Sequence, residues 1–433
     1  MNAPAAFPEK RGVIGPLTVS DLTVDGKGIA RHEGRVVFLD GGLPGDKVTA
    51  AVTDVKRNAL RASVVETLFA SPYTVAPFCL HAGECGGCSL QHFEYAAALA
   101  WKRRHIAGCL SRIGRIESPE VAELVPSPEL RAWRNKIACS FAPAQGDEGG
   151  PPLLGLRVCA GKTVVPVTDC AAQSAEAVRL TAYVRARAHA LGLPAWDGRI
   201  AAPGRQPRDA SGKKHPRPDA ARGYLRSLVV HSPDYAPDGV CRLLVEIIIG
   251  PEHSVRGENG PAGAGGLPGG VGRTAGLSRS EKIRMLGGEL LERFRAAGFI
   301  HSERARLSDI AEGERRVYAA GSEHRLERFG KITVKAPYNA FLQTNTQCAA
   351  KLFELAAVIV ADPPRAGLHA EAIRLLIEVP AERLIYVSCD ASRQARDAAL
   401  LSPLWRAVKS LPVDMFPFTP HVENLLVMER RGI

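Results

Sequence analysis

Two short stretches near the C-terminus decide the fold: Val358-Ile-Val-Ala-Asp-Pro-Pro-Arg-Ala-Gly367 and Leu384-Ile-Tyr-Val-Ser-Cys-Asp390. Each begins as an apolar, β-branched run and ends in polar side chains that can take part in chemistry. This pattern is typical of a buried parallel strand that delivers a side chain to a site at the carboxyl edge of a sheet. The first strand is predicted to end at Asp362, because the two prolines that follow cannot continue it. The second is predicted to end at Cys389.

The residues after Cys389 favour a helix, since Asp390-Ala-Ser-Arg-Gln-Ala-Arg-Asp397 is a polar stretch that can open one. A thiol at a strand end that faces a helix N-terminus is placed where a thiolate is stabilised. Cys389 is therefore expected to be a nucleophile. The alternative is an inert cysteine between two core strands, because cysteines outside disulfides are usually structural.

Size and composition indicate a multidomain protein with an anionic partner. A chain of 433 residues suggests two or three domains. It holds no apolar run of about 18 residues, and its first residues lack the apolar core of a signal peptide, so a cytoplasmic location and no membrane partner are expected. The formal net charge of +11 favours nucleic acid as the partner; a generally basic proteome is the alternative. Ten cysteines without a signal peptide favour metal binding or catalysis over disulfides.

The N-terminal 70 residues are predicted to form a small β-barrel. Short strand-like runs such as Gly34–Asp40 and Lys47–Thr53 are separated by glycine- and proline-rich turns. About five strands in this length suggest a barrel of the OB type, a common RNA-binding scaffold. Lys56, Arg57 and Arg61 add positive charge to it.

A cluster of cysteines follows the predicted barrel. Cys79, Cys85 and Cys88 lie within ten residues, and two glycines between the last two allow the backbone to fold tightly around a metal centre. A fourth ligand must come from elsewhere, and Cys170, which follows a strand-like run, is the candidate. Zinc and an iron–sulfur cluster both fit this spacing.

The middle of the chain is predicted to alternate helices, strands and polar insertions. An amphipathic helix is expected from Tyr95 to about Ile113, and strands are expected at Ser227–His231 and Arg242–Ile249. Gly204–Ala221 is rich in basic residues and proline, and Gly257–Gly276 is dominated by glycine. Both are predicted to be mobile loops.

Taken together, these motifs resemble the bacterial RNA (uracil-5-)-methyltransferases, especially the branch that modifies 23S ribosomal RNA. The resemblance extends over most of the chain. The segments that carry it are Asp25–Ala30, Leu43–Asp46, Gly86–His92, Arg134–Lys136, Leu225–Val230, Phe341–Asn345, Asp362–Gly367, Tyr386–Cys389, Arg396–Asp397 and Asp414–Glu423.

The resemblance implies a multidomain α/β and β architecture. Residues 1–70 would form an OB-like TRAM barrel that binds RNA, residues 71–335 a central α+β iron–sulfur domain, and residues 336–433 a Rossmann-like methyltransferase domain. It assigns Cys79, Cys85, Cys88 and Cys170 as ligands of a 4Fe-4S cluster with a structural role.

The resemblance also assigns a reaction and its residues. Cys389 would add to C6 of a flipped uridine in ribosomal RNA, which makes C5 nucleophilic toward the methyl group of S-adenosyl-L-methionine. Glu423 would then remove the C5 proton. Gln343 would contact S-adenosyl-L-methionine, and Asp362 would orient the cofactor or bind the uracil edge.

One departure from the family pattern concerns the segment between Asn345 and Asp362. There the family has several tens of residues that form the first strands of the cofactor-binding fold and its glycine-rich loop. In this chain Gln347–Ala357, a helix pattern, leads directly into the strand pattern of Val358–Ala361, without the usual turn residues. A truncated methyltransferase domain is therefore expected, with that strand at a sheet edge. Three explanations are open: an internal deletion that impairs the enzyme, an incomplete sequence, or an RNA-binding protein that has lost catalysis.

Overall fold

The computed structural model describes residues 12–144, 150–158, 163–196, 224–233, 238, 240, 242–250, 276–306, 311–355, 359–378 and 381–431. The predicted loop Gly204–Ala221 lies outside these ranges, as do all residues but Gly276 of the predicted loop Gly257–Gly276. The described chain forms two compact units, one of residues 1–82, 87–128 and 351–433 and the other of residues 83–86 and 129–350.

The strands are β1 (Val13–Thr18), β2 (Asp21–Leu22), β3 (Gly28–His32), β4 (Arg35–Asp40), β5 (Lys47–Val55), β6 (Ala59–Phe69), β7 (Lys136–Ala142), β8 (Leu153–Arg157), β9 (Val164–Pro166), β10 (Leu225–His231), β11 (Leu244–Ile249), β12 (Gly298–Glu303), β13 (Arg315–Gly321), β14 (His324–Phe329), β15 (Ile332–Pro337), β16 (Ile359–Ala361), β17 (Arg383–Ser388), β18 (Trp405–Val413) and β19 (Glu423–Arg430). The helices are α1 (Tyr95–Arg112), α2 (Ala175–Ala190), α3 (Arg279–Arg293), α4 (Thr346–Leu355), α5 (Ala370–Glu378) and α6 (Ala391–Leu401). Within the described ranges, none of these helices has the length and apolar character needed to cross a membrane.

The N-terminal strands form the sheet that the sequence predicts. Six strands pair in the order β1-β5-β6-β4-β3-β2. Buried and exposed residues alternate along β5, so one face of the sheet covers an apolar core that includes Leu17, Val37, Val48 and Leu60. This alternation is the period-2 pattern expected for strands with one solvated face.

The second unit is built on a seven-stranded sheet with the order β13-β12-β11-β10-β7-β8-β9. Its central strand β11 is buried at every position, as expected for a strand that is covered on both faces. Helices α2 and α3 contribute Leu180, Val184, Leu286 and Leu290 to the core on one face. The strands predicted at 227–231 and 242–249 are confirmed as parts of β10 and β11.

The C-terminal sheet holds the two strands on which the sequence analysis rests. Its order is β16-β17-β19-β18, with β16 parallel to β17 and β19 antiparallel to β17. In the described part of the chain β16 is an edge strand, the position that the sequence analysis expects for it. The junction at residues 356–358 lies outside the described residues.

Helix α1 belongs to the same core as this sheet, although it precedes the sheet by more than 200 residues. Ile106 and Leu110 of α1 pack with Ala395 and Leu401 of α6 and with Leu384 of β17. The helix begins at the boundary expected from the sequence, where the Glu94 side chain accepts hydrogen bonds from the first backbone N–H groups.

One buried histidine in the second unit is expected to make the free energy of unfolding depend on pH. His301 of β12 is fully buried, and within the described chain neither ring nitrogen has a hydrogen-bond partner. Burial, reinforced by Arg284 and Arg315, lowers the pKa of His301 to about 4 from 6.5. Between these values the unfolded chain binds the extra proton, so the free energy of unfolding falls by about 1.4 kcal/mol per pH unit as the pH decreases.

His301→Leu is therefore expected to flatten the pH dependence of the urea-unfolding midpoint between pH 6.5 and pH 4, because leucine has no proton to bind in either state. His324→Leu is the matched control, since His324 is exposed on β14 in the same unit. An unchanged slope in the His301 variant would contradict the assignment.

Candidate active site

The pairing of β17 with β19 brings Cys389 and Glu423 to the same end of the sheet. The last pair in the antiparallel register is Ser388 with Asn424, and the next position in the same register pairs residue 389 with residue 423. Residues directly opposite in an antiparallel pair have Cβ atoms about 5 Å apart. Consistent with this proximity, the Glu423 carboxylate acts electrostatically on the Cys389 thiol.

Asp362 lies at the same end of this sheet. Ala361, the last residue of β16, pairs with Tyr386 in a parallel register, so Asp362 and Cys389 both follow the carboxyl ends of neighbouring parallel strands. The arrangement confirms that the two predicted strands end at one sheet edge. Asp362 is exposed, and partial desolvation raises the pKa of its carboxyl group.

The expectation of a stabilised thiolate at Cys389 is wrong for this structure. Burial, together with the negative charge of Glu423, raises the pKa of the Cys389 thiol to about 11, against an opposing effect of Arg365. The N-terminus of α6 does not compensate, because Asp390 caps it: the Asp390 side chain accepts hydrogen bonds from the backbone N–H groups of Ser392 and Arg393. A carboxylate already occupies the position where a thiolate would gain from the helix dipole.

Two residues that sequence reasoning did not single out also belong to the site. The Arg365 guanidinium lies 3.4 Å from Nδ1 of His421, and its charge lowers the pKa of Cys389. Burial, followed by the charge of Arg365, lowers the pKa of His421, so this imidazole is neutral near pH 7. The signal in the sequence was available, because Arg365 lies three residues after Asp362 and His421 lies two residues before Glu423.

The loop that follows β16 is fixed to α6 through one buried carboxylate. Asp397 is fully buried and accepts hydrogen bonds from the Tyr386 hydroxyl at 2.7 Å and from the backbone N–H of Leu368 at 2.8 Å. Gly367 adopts a φ of +85°, and a Cβ there would lie 2.6 Å from Oδ2 of Asp397. Glycine is therefore required at this position, and the turn after Asp362 has a fixed course.

A buried polar network supports the strand that carries Glu423. The Gln394 side chain donates to the carbonyl groups of Tyr386 and Asn424 at 2.7 and 2.9 Å. Asn424 donates back to Gln394 at 2.7 Å and accepts from Ser410 at 2.8 Å. Because these groups satisfy one another away from water, they specify a single arrangement of α6, β17, β18 and β19.

Gln343, predicted to contact S-adenosyl-L-methionine, belongs to the second unit. The residue is buried, and its backbone carbonyl accepts a hydrogen bond from the Asn135 side chain at 3.0 Å. Its role in cofactor binding stays a prediction.

The four predicted cluster ligands are divided between the two units, with Cys79 and Cys88 in the first and Cys85 and Cys170 in the second. All four are half-buried, and none forms a disulfide. Burial, with the charges of Cys170 and Cys85, raises the pKa of the nearby Cys139 to about 12, so three thiols are neighbours in the second unit.

The chemistry of four thiols fits an iron–sulfur centre. In the part of the chain that the structure describes, however, no three His, Cys, Asp or Glu side chains are arranged as a metal site. The ligand set is therefore a prediction that the geometry does not establish.

Comparison with known proteins identifies the family. The TRAM domain family matches residues 8–65, and the tRNA (uracil-5-)-methyltransferase family matches residues 341–431. An uncharacterized RNA methyltransferase of Nitratidesulfovibrio vulgaris is 32% identical, over 96% of each chain. A 23S rRNA (uracil(1939)-C(5))-methyltransferase of Chromohalobacter salexigens is 30% identical, over 96% of this chain and 89% of its own length.

The chain belongs to the RNA (uracil-5-)-methyltransferase family. Enzymes of this family transfer a methyl group from S-adenosyl-L-methionine to uracil C5 in RNA. The matched regions contain an RNA-binding TRAM domain and the C-terminal segment that includes Asp362, Cys389 and Glu423.

A solved structure has the fold of this RNA (uracil-5-)-methyltransferase. It is the Pyrococcus abyssi tRNA (uracil-54, C5)-methyltransferase in complex with S-adenosyl-L-homocysteine. The TM-score is 0.62 over 95% of this chain and 99% of that one, and the sequences are 20% identical. The likeness extends the fold assignment over almost the whole chain.

The effect of the Glu423 charge on the pKa of the Cys389 thiol can be tested by mutation. Glu423→Gln removes a negative charge opposite Cys389, so the pKa of Cys389 is expected to fall and alkylation by iodoacetamide at pH 9 to become faster. Mass spectrometry of the tryptic peptide Leu384–Arg393 measures the reaction, since Cys389 is its single cysteine. Glu429→Gln is the matched control, because Glu429 lies on the same strand but at its other end, where it is half-buried and forms ion pairs with Arg383 and Arg406. Equal rates in both variants would contradict the pairing.

Proposed function

We propose that this chain methylates C5 of a uridine in 23S ribosomal RNA, with Cys389 as the nucleophile and Glu423 as the base. The observation that supports the proposal is the β17–β19 register: its last pair is Ser388 with Asn424, so a thiol and a carboxylate, Cys389 and Glu423, are the residues next to that pair at the end of the sheet. The two groups that C5 substitution of a uracil requires, a nucleophile for C6 and a base for the C5 proton, are thereby adjacent.

The proposed steps balance as follows. The Cys389 thiol loses its proton and its sulfur forms a bond to C6 of the uracil, which leaves C5 with enolate character. Bound S-adenosyl-L-methionine would supply an electrophilic methyl group to C5; its methyl–sulfur bond would break as the C5–methyl bond forms, and S-adenosyl-L-homocysteine would leave. Glu423 then removes the C5 proton, the electron pair restores the C5–C6 double bond, and the Cys389–C6 bond breaks.

Because the pKa of Cys389 is raised, neighbouring groups must help the thiol to lose its proton. At neutral pH the thiol is protonated, so a base must remove its proton when the uracil is bound. Glu423 is the carboxylate placed for this step, and it passes this proton to solvent before it removes the C5 proton. Arg365 is the cation whose charge favours the thiolate. Asp362, at the same sheet edge, is proposed to bind the uracil or to orient the cofactor.

Ribosomal RNA is proposed as the substrate because of the positive charge of the N-terminal domain, the position of that domain beside the site, and the relatives that act on 23S rRNA. Exposed cations of the barrel, among them Arg31, Lys56, Arg57 and Arg61, provide contacts for phosphates. The turn between β2 and β3 lies beside the site, since Asp25 acts electrostatically on His421 and Gly26 faces Pro420. A uracil must leave its base stack to reach Cys389, so base flipping is part of the proposal.

A second candidate, an RNA-binding protein with an incomplete cofactor site, rests on the proposal that a segment before Asp362 has been lost. The match to the Nitratidesulfovibrio vulgaris relative spans 482 aligned positions, more than this chain has residues, so that relative contains residues without a counterpart here. The edge position of β16 is consistent with a loss before this strand. The two candidates differ in whether methyl transfer occurs.

Transfer of labelled methyl from S-adenosyl-L-methionine to unmodified ribosomal RNA tests the first candidate. Incorporation by the wild-type chain and its loss in Cys389→Ala are expected. The reaction is run in parallel with transfer RNA, and preferential labelling of transfer RNA would overturn the ribosomal assignment.

Release of tritium from [5-³H]uridine in RNA, without S-adenosyl-L-methionine, separates the two candidates. Addition of Cys389 to C6 allows C5 to take a proton from water, and Glu423 then removes the tritium, so release requires both residues but no methyl donor. Release without methyl transfer would identify an intact uracil site with an incomplete cofactor site. The absence of both would overturn the proposed mechanism.

We also propose that Cys79, Cys85, Cys88 and Cys170 hold a 4Fe-4S cluster with a structural role. Protein purified without oxygen is expected to contain iron and acid-labile sulfide and to absorb broadly in the visible range, and Cys88→Ser is expected to lose both. Cys348→Ser is the control, because Cys348 is buried and is not among the proposed ligands. Bound zinc without sulfide would overturn this part of the proposal.

A further inference from the structure

The loop between β18 and β19, residues 414–422, delivers Glu423 to the site, and it is held at two points by a distant part of the chain. We refer to residues 414–422 as the 414–422 loop. Its holding residues lie on α1 and in the segment just before it, more than 300 positions earlier in the sequence. All of them belong to the same compact unit as the loop.

The first anchor is Asp414, at the start of the loop. Asp414 is fully buried, and its two carboxylate oxygens accept from different α1 side chains: Oδ2 from the Tyr95 hydroxyl at 2.7 Å and Oδ1 from the Lys102 ammonium at 2.5 Å. Lys102 also donates to the Phe416 carbonyl at 3.2 Å. The Tyr95 hydroxyl in turn accepts from the backbone N–H of Ser127 at 3.0 Å, which fixes its orientation.

The second anchor is Phe418, in the middle of the loop. Its backbone carbonyl accepts a hydrogen bond from the N–H of Leu90 at 2.9 Å. Its ring packs against Phe78 with centroids 5.2 Å apart and against Tyr95 with centroids 5.7 Å apart. Phe418 has a φ of +61°, a conformation that residues other than glycine adopt only when their surroundings impose it.

We propose that Tyr95, Lys102 and Leu90 are positioning residues that hold the 414–422 loop and thereby set Glu423 opposite Cys389. None of the three lies in the C-terminal segment that contains the chemistry, so the segment before the methyltransferase domain contributes to the active site. The catalytic part of this inference rests on the proposed function of Glu423, whereas the positional part does not.

The physical reason is the short range of proton transfer. A carboxylate must come within hydrogen-bond reach of the proton that it removes, and a displacement of about 1 Å reduces the rate by up to about a hundredfold. Asp414 follows β18 and Glu423 begins β19, so the two anchors control the course of the chain between the strands. Loss of one anchor is expected to move Glu423 while the sheet itself persists.

Tyr95→Phe tests the inference, because it removes one hydroxyl group and leaves the ring packing in place. Tyr183→Phe is the matched control: Tyr183 donates to the Glu289 carboxylate over the same 2.7 Å, but in the second unit. Two quantities are measured in both variants, the pH profile of Cys389 alkylation in the free protein and the tritium-release rate with its KM for RNA.

Tyr95→Phe is expected to shift the alkylation profile toward lower pH, in the direction of Glu423→Gln, because the carboxylate is no longer held near the thiol. Tritium release is expected to slow by about tenfold to a hundredfold with an unchanged KM for RNA. Tyr183→Phe is expected to match the wild-type chain in both.

An alkylation profile and a release rate equal to those of the wild-type chain would overturn the inference, even if Tyr95→Phe lowered the melting temperature. A shifted profile in a protein whose wild-type form releases no tritium would support the positional inference and refute the proposed function of Glu423. The two failures are therefore distinguishable.

Discussion

The register between β17 and β19 is the constraint on which the rest of the site depends. Side chains alternate between the faces of a strand, so a slip of one residue would turn Cys389 and Glu423 away from each other. The buried contacts of Gln394 with Tyr386 and Asn424 make such a slip costly, because it would leave amide groups unpaired in the core. The catalytic geometry is thus specified by polar groups that take no part in the reaction.

The same geometry explains why Cys389, the proposed nucleophile, is kept in its neutral form. A carboxylate opposite a thiol is useful as a base, but its charge also opposes the thiolate. Burial adds to this effect, and Asp390 occupies the helix N-terminus that would otherwise offset it. A thiol with a raised pKa reacts slowly with oxidants and alkylating agents, because the thiolate is the reactive form. The site therefore protects the Cys389 thiol from oxidation and alkylation, at the cost of a lower thiolate population. Arg365 is the group whose positive charge favours the thiolate.

Local sequence patterns were sufficient to predict the strands and helices of the site, but not the pKa values of its side chains. The β-branched runs before Asp362 and Cys389, the prolines after Asp362 and the polar start of α6 are local signals, and the structure confirms the strands and the helix. The raised pKa of Cys389 depends on Glu423, 34 positions later, and on the Asp390 cap, neither of which local pattern evaluates. The bond from Tyr95 to Asp414 spans 319 positions, and no periodicity indicates it. The proposed cluster ligands are an intermediate case. Their spacing in the sequence predicts a metal site, but the described residues do not show the four cysteines arranged around one centre.

The packing of the C-terminal sheet also bears on what the missing segment before Asp362 can change. The sheet gains its core from α1 and α6, and Val121 and Val125 form bridges with β18, at the edge opposite β16. None of these supports comes from the segment between Asn345 and Asp362. Cys389, Glu423 and Arg365 can therefore keep their arrangement whether or not the methyl donor has a complete site.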